Sequence, residues 1–246
     1  MNTYPGPTAA AVSLVVVTAG VSEPSSTRLL ADRLAGKAIA LLAEQGRSAR
    51  VRVIELAPLA VDIARATTAG FPGSTIEEAM KALSEADAVI VSTPVYKAGI
   101  SGLLKSFVDL IDNDLLIGKP VMIAATAGTA RHALVVDDHL RSLFAYFRAL
   151  TLPTSLFAAP EDWGSPAFGE RIERAAQELA QVIGTGVGRA IADAAWSGYQ
   201  HEFAGRAMRA AQTTQDLDFD STLMQLAAGG SGRNSNGPRS RSDTGS

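Results

Sequence analysis

Val12-Ser13-Leu14-Val15-Val16-Val17-Thr18-Ala19-Gly20-Val21-Ser22-Glu23-Pro24-Ser25-Ser26-Thr27-Arg28-Leu29-Leu30 is the stretch on which the fold turns. Its first six residues form a near-continuous β-branched and leucine run, the pattern of a strand buried on both faces of a parallel sheet. A polar turn follows, and then Leu30, Leu34, Ala38, Leu41 and Leu42 share one stripe of a helix ending near Gly46. Strand, polar loop and amphipathic helix make the opening of an alternating β-α chain.

The unit repeats outward from there. Residues 49–56 read as a second strand. Residues 75–84 read as a helix with Ser74 as its N-cap and Glu77 as the reciprocal capping-box partner. Residues 88–92 make a third strand, and 101–112 a helix with Leu104, Phe107, Val108 and Ile111 on one face. Residues 120–125 are the fourth strand. The stripe Leu140, Leu143, Phe144, Phe147 and Leu150 marks a helix over 136–149. Residues 151–158 are a fifth strand that Pro153 pushes toward the sheet edge, and a last helix runs over 168–183. Strands alternating with helices of this length specify an α/β, doubly wound parallel sheet, and five strands suit the flavodoxin-like order 2-1-3-4-5, the order being taken by analogy.

Residues 1–184 are thus one flavodoxin-like domain. Gly184, Gly186 and Gly188 break its last helix, and an alanine-rich C-terminal helical extension is expected over 185–228, needing the domain or a second subunit to cover its apolar face. Residues 229–246, Gly/Ser-rich with Arg233, Arg239 and Arg241, are expected to be a disordered tail.

Composition narrows the chemistry. The 246 residues are 47% hydrophobic and 19% charged, a globular balance. A formal charge of -3 without a basic stripe argues against nucleic acid as a partner. With no cysteine, thiolate nucleophiles, disulfides and Cys-ligated metals are excluded. No Lys or Arg precedes the short apolar run at 11–17, so neither a signal peptide nor a membrane anchor is expected, and the default address is the cytoplasm. His132, His139 and His201 form no metal-binding motif, and no metal is expected. Asp137, Asp138 and His139 are read as helix N-capping residues, and Asp109, Asp112 and Asp114 as solvent-facing. There is no GxSxG elbow and hence no hydrolase nucleophile.

In doubly wound sheets ligands sit outside the carboxyl ends of the strands, so three loops matter: 18–27, 93–100 and 126–134. In the first, Ser22, Ser25, Ser26 and Thr27 crowd a helix N-terminus, whose unpaired N–H groups and positive dipole end suit a phosphate, and Arg28 can add a charge-assisted bond. The plainer account of Ser25 is a simple N-cap. Neither GxxxxGK[ST] nor GxGxxG is present, which removes a P-loop site and weakens a dinucleotide fold.

The second loop, Ser92-Thr93-Pro94-Val95-Tyr96-Lys97-Ala98-Gly99-Ile100-Ser101-Gly102-Leu103-Leu104-Lys105-Ser106-Phe107, resembles the TPxYxxxxxGxLKNxxD segment of the NADPH-dependent FMN reductases. Thr93, Pro94, Tyr96, Gly102, Leu104, Lys105 and Asp109 stand at the matching places, with Ser106 for the usual Asn. The resemblance covers about residues 12–165. It implies that Pro94, Val95, Tyr96 and Lys97 lie along the isoalloxazine ring, while Lys105 reads as a solvated helix charge. It also implies that Thr126, Ala127, Gly128 and Thr129 border the ring's other flank, with Arg131 or His132 near the flavin or the NADPH phosphate. The first loop departs from the family's GSxRxxS pattern: Val21 stands for Ser and Glu23 for the basic residue, and an acid repels phosphate, so Glu23 takes no binding role. The run from Gly20 to Leu30 looks like an actinobacterial branch that serves luciferase-like monooxygenases.

The resemblance therefore implies an enzyme, an FMN reductase using NADPH or NADH, with hydride transfer borne by the cofactors and no catalytic side chain of its own. It further implies a homodimer or homotetramer and a flavin-dependent monooxygenase as recipient. The alternatives are a quinone- or azo-type reductase with tightly bound FMN, a non-catalytic flavodoxin-like electron carrier, and an interaction module without flavin. Weak acidity and 6% aromatics argue against the carrier.

Overall fold

Apolar runs become central strands because helices cover both their faces. The computed structural model of the chain describes residues 11–198. Strand β1 (Val12–Thr18) lies between β2 (Ala49–Glu55) and β3 (Ala88–Tyr96), parallel to both, and β3 pairs on its far side with parallel β5 (Pro120–Thr126). A two-residue strand, β4 (Gly99–Ile100), folds back antiparallel onto the end of β3. The fifth position of the expected order is shared by two short pieces, β6 (Leu150–Thr151) and β7 (Leu156–Ala158), each parallel to β5. Pro153 falls in the gap between them, where the missing N–H breaks no ladder bond. The sheet order is β2-β1-β3-β5 and then β6 with β7.

Alternation along each strand divides the core in two. Leu14, Val16, Ile90, Met122 and Ala124 face one side, where they meet α1 (Ser26–Glu44) and α6 (Pro166–Thr185). Val15, Val17, Val91, Ile123 and Ala125 face the other, where they meet α3 (Ser74–Glu85), α4 (Gly102–Val108) and the segment ending in α5 (Ser142–Tyr146). Phe107 and Phe144 are fully buried there, and each contributes roughly 2–3 kcal/mol of transfer free energy.

Several local expectations change. A ten-residue helix, α2 (Ala60–Ala69), lies in a stretch without a recognisable periodic stripe; it buries only Ile63 and Ala66 and ends on Gly70 at φ 77°. The capping box at Ser74 does not form. Helix α3 starts one residue earlier than expected, so Ser74 is its first helical residue, Gly73 is the N-cap, and the Gly73 carbonyl accepts from the N–H groups of Ile76 and Glu77. The 136–149 helix opens as a wide π-type turn over Val136–Arg141 before tightening into α5. Asp137 caps no helix there: it accepts from the Arg141 guanidinium (3.0 and 2.8 Å) and the Ser155 hydroxyl (3.1 Å). Asp114, expected in solvent, is a mostly covered partner of Arg148 at 2.7 Å.

The glycines after residue 183 act differently from one another. Gly184 stays inside α6, Gly186 ends it at φ 68°, and Gly188 lies inside a further helix, α7 (Val187–Gly198). A Cβ at Gly188 would stand 2.6 Å from the Gly118 carbonyl oxygen and 2.8 Å from Pro120 Cδ, so glycine lets α7 cross the amino end of β5. Arg189 then pairs with Asp87 at 2.7 Å. The rest of the expected 185–228 extension and the 229–246 tail lie outside the described residues.

Candidate active site

Burying a hydroxyl without a partner costs about 1–3 kcal/mol, so the places where a fold accepts that risk are informative. Among the described residues the buried polar side chains are Thr18, Thr27, Ser92, Thr93, Ser101 and Thr126, and all six stand at the carboxyl end of the sheet. Thr27 Oγ1 and Thr126 Oγ1 share a hydrogen bond of 2.7 Å, Ser92 Oγ donates to the Thr27 carbonyl at 2.9 Å, and the Ser101 N–H donates to Thr93 Oγ1 at 3.2 Å. Thr18 Oγ1, 2% exposed as a residue, has no hydrogen-bond partner among the described residues. These hydroxyls tie the three carboxyl-end loops together.

The first loop closes tightly on α1. A Cβ at Gly20 would collide outright with Ser25 Oγ and come within 3.1 Å of Thr27 Cβ. Ser25 is the N-cap, with extended backbone, and its Oγ accepts from the Arg28 N–H at 3.2 Å. No acid occupies the first turn. The Ser26 and Thr27 N–H groups are orphan donors of a 19-residue helix, and the Ser22 and Ser26 hydroxyls are exposed beside them. Donors grouped in this way have the chemistry to hold a phosphate.

Two residues expected to join them are turned elsewhere. The Thr27 side chain points inward to Thr126, so only its N–H remains for a ligand. Arg28 points outward: its Nε bonds Asp32 at 2.7 Å and its Nη1 bonds Glu55, with the Asp32 bond foremost in raising the guanidinium pKa. The two carboxylates use its Nε–H and one Nη1–H and hold the guanidinium on the outer face of α1.

The second loop is an extension of the sheet rather than an irregular loop. Pro94 pairs with Thr126 and is buried, and Val95 is 8% exposed within the hydrophobic core, so both side chains are given mainly to packing. Lys97 and Ala98, at φ 51° and 61°, make the two-residue turn that pairs Tyr96 with Gly99 and Val95 with Ile100. Tyr96, 51% exposed, and Lys97 are the residues this hairpin presents.

In the third loop the Ala127 N–H donates to the Ala158 carbonyl at 3.1 Å, which commits it to the sheet. A Cβ at Gly128 would meet open space, so nothing in the protein requires glycine there and the backbone is accessible. Thr129 caps the short turn Ala130–His132, its Oγ1 accepting from the Arg131 N–H at 3.5 Å; Arg131 is exposed and His132 half-exposed. Lys105 is an exposed partner of Asp109, in keeping with its reading as a solvated charge.

Two neighbours of the site were missed. His139, carried by the π-type turn, brings Cε1 within 3.8 Å of where a Gly99 Cβ would stand, so its ring backs the hairpin. Trp163, in the carboxyl-end loop after β7, meets Phe168 edge-on at 5.7 Å with the Arg33 guanidinium 5.2 Å over its ring. The loop follows the strand expected over 151–158, and a tryptophan at that carboxyl end was the signal that could have found it.

The family described as NADPH-dependent FMN reductase matches residues 12–164, which holds all three loops. The chain belongs to that family. It is 37% identical over 178 residues to an FMN reductase (NADPH) of Pseudomonas aeruginosa, covering 70% of this chain and 92% of that one. To the NADH-dependent FMN reductase SfnF of Pseudomonas fluorescens it is 37% identical over 181 residues, covering 71% and 93%. Among solved structures, an oxidoreductase of Corynebacterium diphtheriae superimposes with a TM-score of 0.69 at 46% identity, covering 71% of this chain and 98% of that one. The apo form of an NADH:FMN oxidoreductase, EMOB, gives 0.61 at 25% identity, covering 70% and 89%. No helix among the described residues is long and apolar enough to cross a membrane.

Proposed function

We propose that this protein is an NAD(P)H-dependent FMN reductase whose flavin lies across the carboxyl end of β1, β3 and β5. The observation that carries the reading is the phosphate cup: within the family-matched stretch, a long helix presents orphan N–H groups and serine hydroxyls with no acid in its first turn. Family members named for NADPH and for NADH support either nucleotide as donor.

Ser22, Ser25 and Ser26, with the N–H groups of Ser26 and Thr27, hold the flavin phosphate. Ser25 Oγ accepts from Arg28 N–H and keeps its own proton to donate. Gly128 leaves its backbone open to close approach, and the hairpin sets the Tyr96 ring at the edge of the trough. When bound, FMN supplies the ring that takes a hydride from reduced nicotinamide and passes both electrons on. The protein's part is alignment: the Thr27–Thr126 bond fixes the distance between the phosphate cup and the third loop, and a braced frame preorganises two stacked reactants.

The reading extends to a homodimer or homotetramer, a cytoplasmic address and a flavin-dependent monooxygenase as recipient. The resemblance supports these. The test is anaerobic mixing of FMN with NADPH, and separately with NADH, while following the visible flavin band. Bleaching with catalytic amounts of protein is the expected result. Binding without bleaching would make the protein a flavin carrier, and no binding would overturn the reading.

A further inference from the structure

We infer that the outer edge of β2 is a docking site for an acidic, extended segment of a partner protein, which joins the sheet as a further strand. The inference stands apart from the flavin reductase reading, because none of its residues belongs to the proposed flavin site.

Strand β2 ends the sheet on its side. Its register with β1 runs unbroken from the Val12–Ala49 pair to the Thr18–Glu55 pair, without proline, glycine or a bulge. The Ser48 carbonyl accepts from the Val12 N–H at 2.8 Å, and the Leu56 N–H donates to the Thr18 carbonyl at 2.9 Å. Residues that bond one neighbour alternate along a parallel strand, so Arg50, Arg52 and Ile54 spend both backbone groups on β1. The N–H and C=O groups of Ala49, Val51 and Val53 therefore point off the sheet, and nothing among the described residues bonds them.

The side chains of this edge divide by face. Ile54 joins the core on the α3 side, while Ala49 and Val53 pack on the α1 side. Arg50 and Arg52, both exposed, accordingly share the α3 face, and Val51, 36% exposed, stands between them on the other. Glu78 approaches Arg52 only to 3.9 Å, and no carboxylate among the described residues pairs with Arg50. Charges on an edge ordinarily keep other strands away, and here their sign selects which strand is admitted. A second copy of β2, antiparallel about Val51, would set Arg50 opposite Arg52, and like-charge repulsion disfavours that pairing. A strand with carboxylates at alternate positions meets the two guanidinium groups on one face and lays its apolar side chains by Val51 on the other, while its backbone fills the open edge. A nucleic-acid backbone would meet the arginines but carries no alternating N–H and C=O groups for that edge.

The probe is a short blocked peptide in which glutamate alternates with valine, added to the full-length protein. Its controls are a lysine-for-glutamate counterpart, a version N-methylated throughout, and a duplex DNA. Calorimetry reads the affinity, and amide hydrogen exchange followed by NMR reads the edge. The glutamate peptide binds about tenfold or more tighter than the lysine peptide, and the double variant Arg50→Glu, Arg52→Glu reverses that order. Bound peptide slows exchange at the Val51 and Val53 amides, whereas the Arg50 and Arg52 amides, bonded to β1, are slow already. N-methylation abolishes the slowing, and FMN affinity is the same in the double variant as in the native protein, which keeps the result separate from the flavin reading. Failure of the glutamate peptide to bind would overturn the inference, and so would binding that leaves the Val51 and Val53 amides unchanged, since that is ion pairing without a strand. Slow exchange at those two amides before any peptide is added would mean an edge already covered by this chain or a second copy, and would overturn the assignment to a partner. Duplex DNA held by the same arginines in place of the peptide would overturn it as well.

Discussion

Replacing Gly20 by alanine tests the phosphate cup at its tightest point. The new methyl collides with Ser25 Oγ, lies 3.2 Å from Ser25 Cβ and 3.1 Å from Thr27 Cβ. The hydroxyl is the one atom that can swing aside, and when it does the N-cap bond to Arg28 N–H is lost, at a cost of about 1 kcal/mol. The contact with Thr27 adds strain to the residue that braces the third loop, so Gly20→Ala loses about 1–2 kcal/mol of stability in all. It also withdraws one charge-assisted bond from the flavin phosphate, about 1.5 kcal/mol or roughly tenfold in FMN affinity. Ser25→Ala alone removes the same cap and the same donor without a collision, at similar cost. In the double variant the colliding oxygen is already gone, so the two losses overlap and the double resembles the worse single, a coupling of about 1 kcal/mol. Thermal unfolding gives the stability arm, and quenching of flavin fluorescence gives the affinity arm. Fully additive losses in both arms would show that Gly20 and Ser25 do not form one device.

Ser26→Asp separates stability from binding: an acid at the first helical position favours the dipole by a few tenths of a kcal/mol, yet it weakens FMN binding tenfold or more by like-charge repulsion. Unchanged affinity would remove the first loop from the site. At the opposite edge, Lys119 Nζ donates to the Leu83, Ser84 and Ala86 carbonyls at 2.7, 2.9 and 2.7 Å, and burial, opposed by Asp87, lowers its pKa from 10.5 to about 8. Between those values the unfolded chain holds a proton that the folded chain has released, so stability rises with pH across that window by at most about 3 kcal/mol, and this group adds no slope below it. Lys119→Met should remove that slope from urea-unfolding curves; parallel curves for the two proteins would refute the assignment. Gly188→Ala pushes a methyl into backbone at the amino end of β5 and should cost about 1–3 kcal/mol by displacing α7, with FMN affinity intact. A matching loss of FMN affinity would contradict the separation of the two edges.

The elements that could be read from the sequence are those whose cause is local. Strands β1, β3 and β5 announce themselves because burial on both faces demands unbroken apolar runs, and α1 because its stripe is long. Helix α2 does not, since two buried residues in ten leave almost no periodicity to see. The hairpin after β3 was hidden for a different reason. Two-residue turns with both residues left-handed ordinarily carry Asn or Gly, and Lys97-Ala98 gives no such sign.

In the first loop, the residue types were legible while the directions were not drawn out, although helix geometry already contained them. Thr27 stands three and seven positions before Leu30 and Leu34, so it belongs to the buried stripe and turns into the core, where Thr126 meets it. Arg28 stands four positions before Asp32 on the outer face, the spacing of a helical ion pair, and turns away from the phosphate cup. One step along a helix rotates a side chain by about 100°, which is enough to make one neighbour a brace and the other a surface ion pair. A helix N-terminus therefore offers a ligand its backbone donors, the cap and the side chain beside it. The second and third helical side chains answer to the core and the outer face, and this is why the proposed phosphate site falls to Ser25 and Ser26 while Thr27 braces the third loop from below.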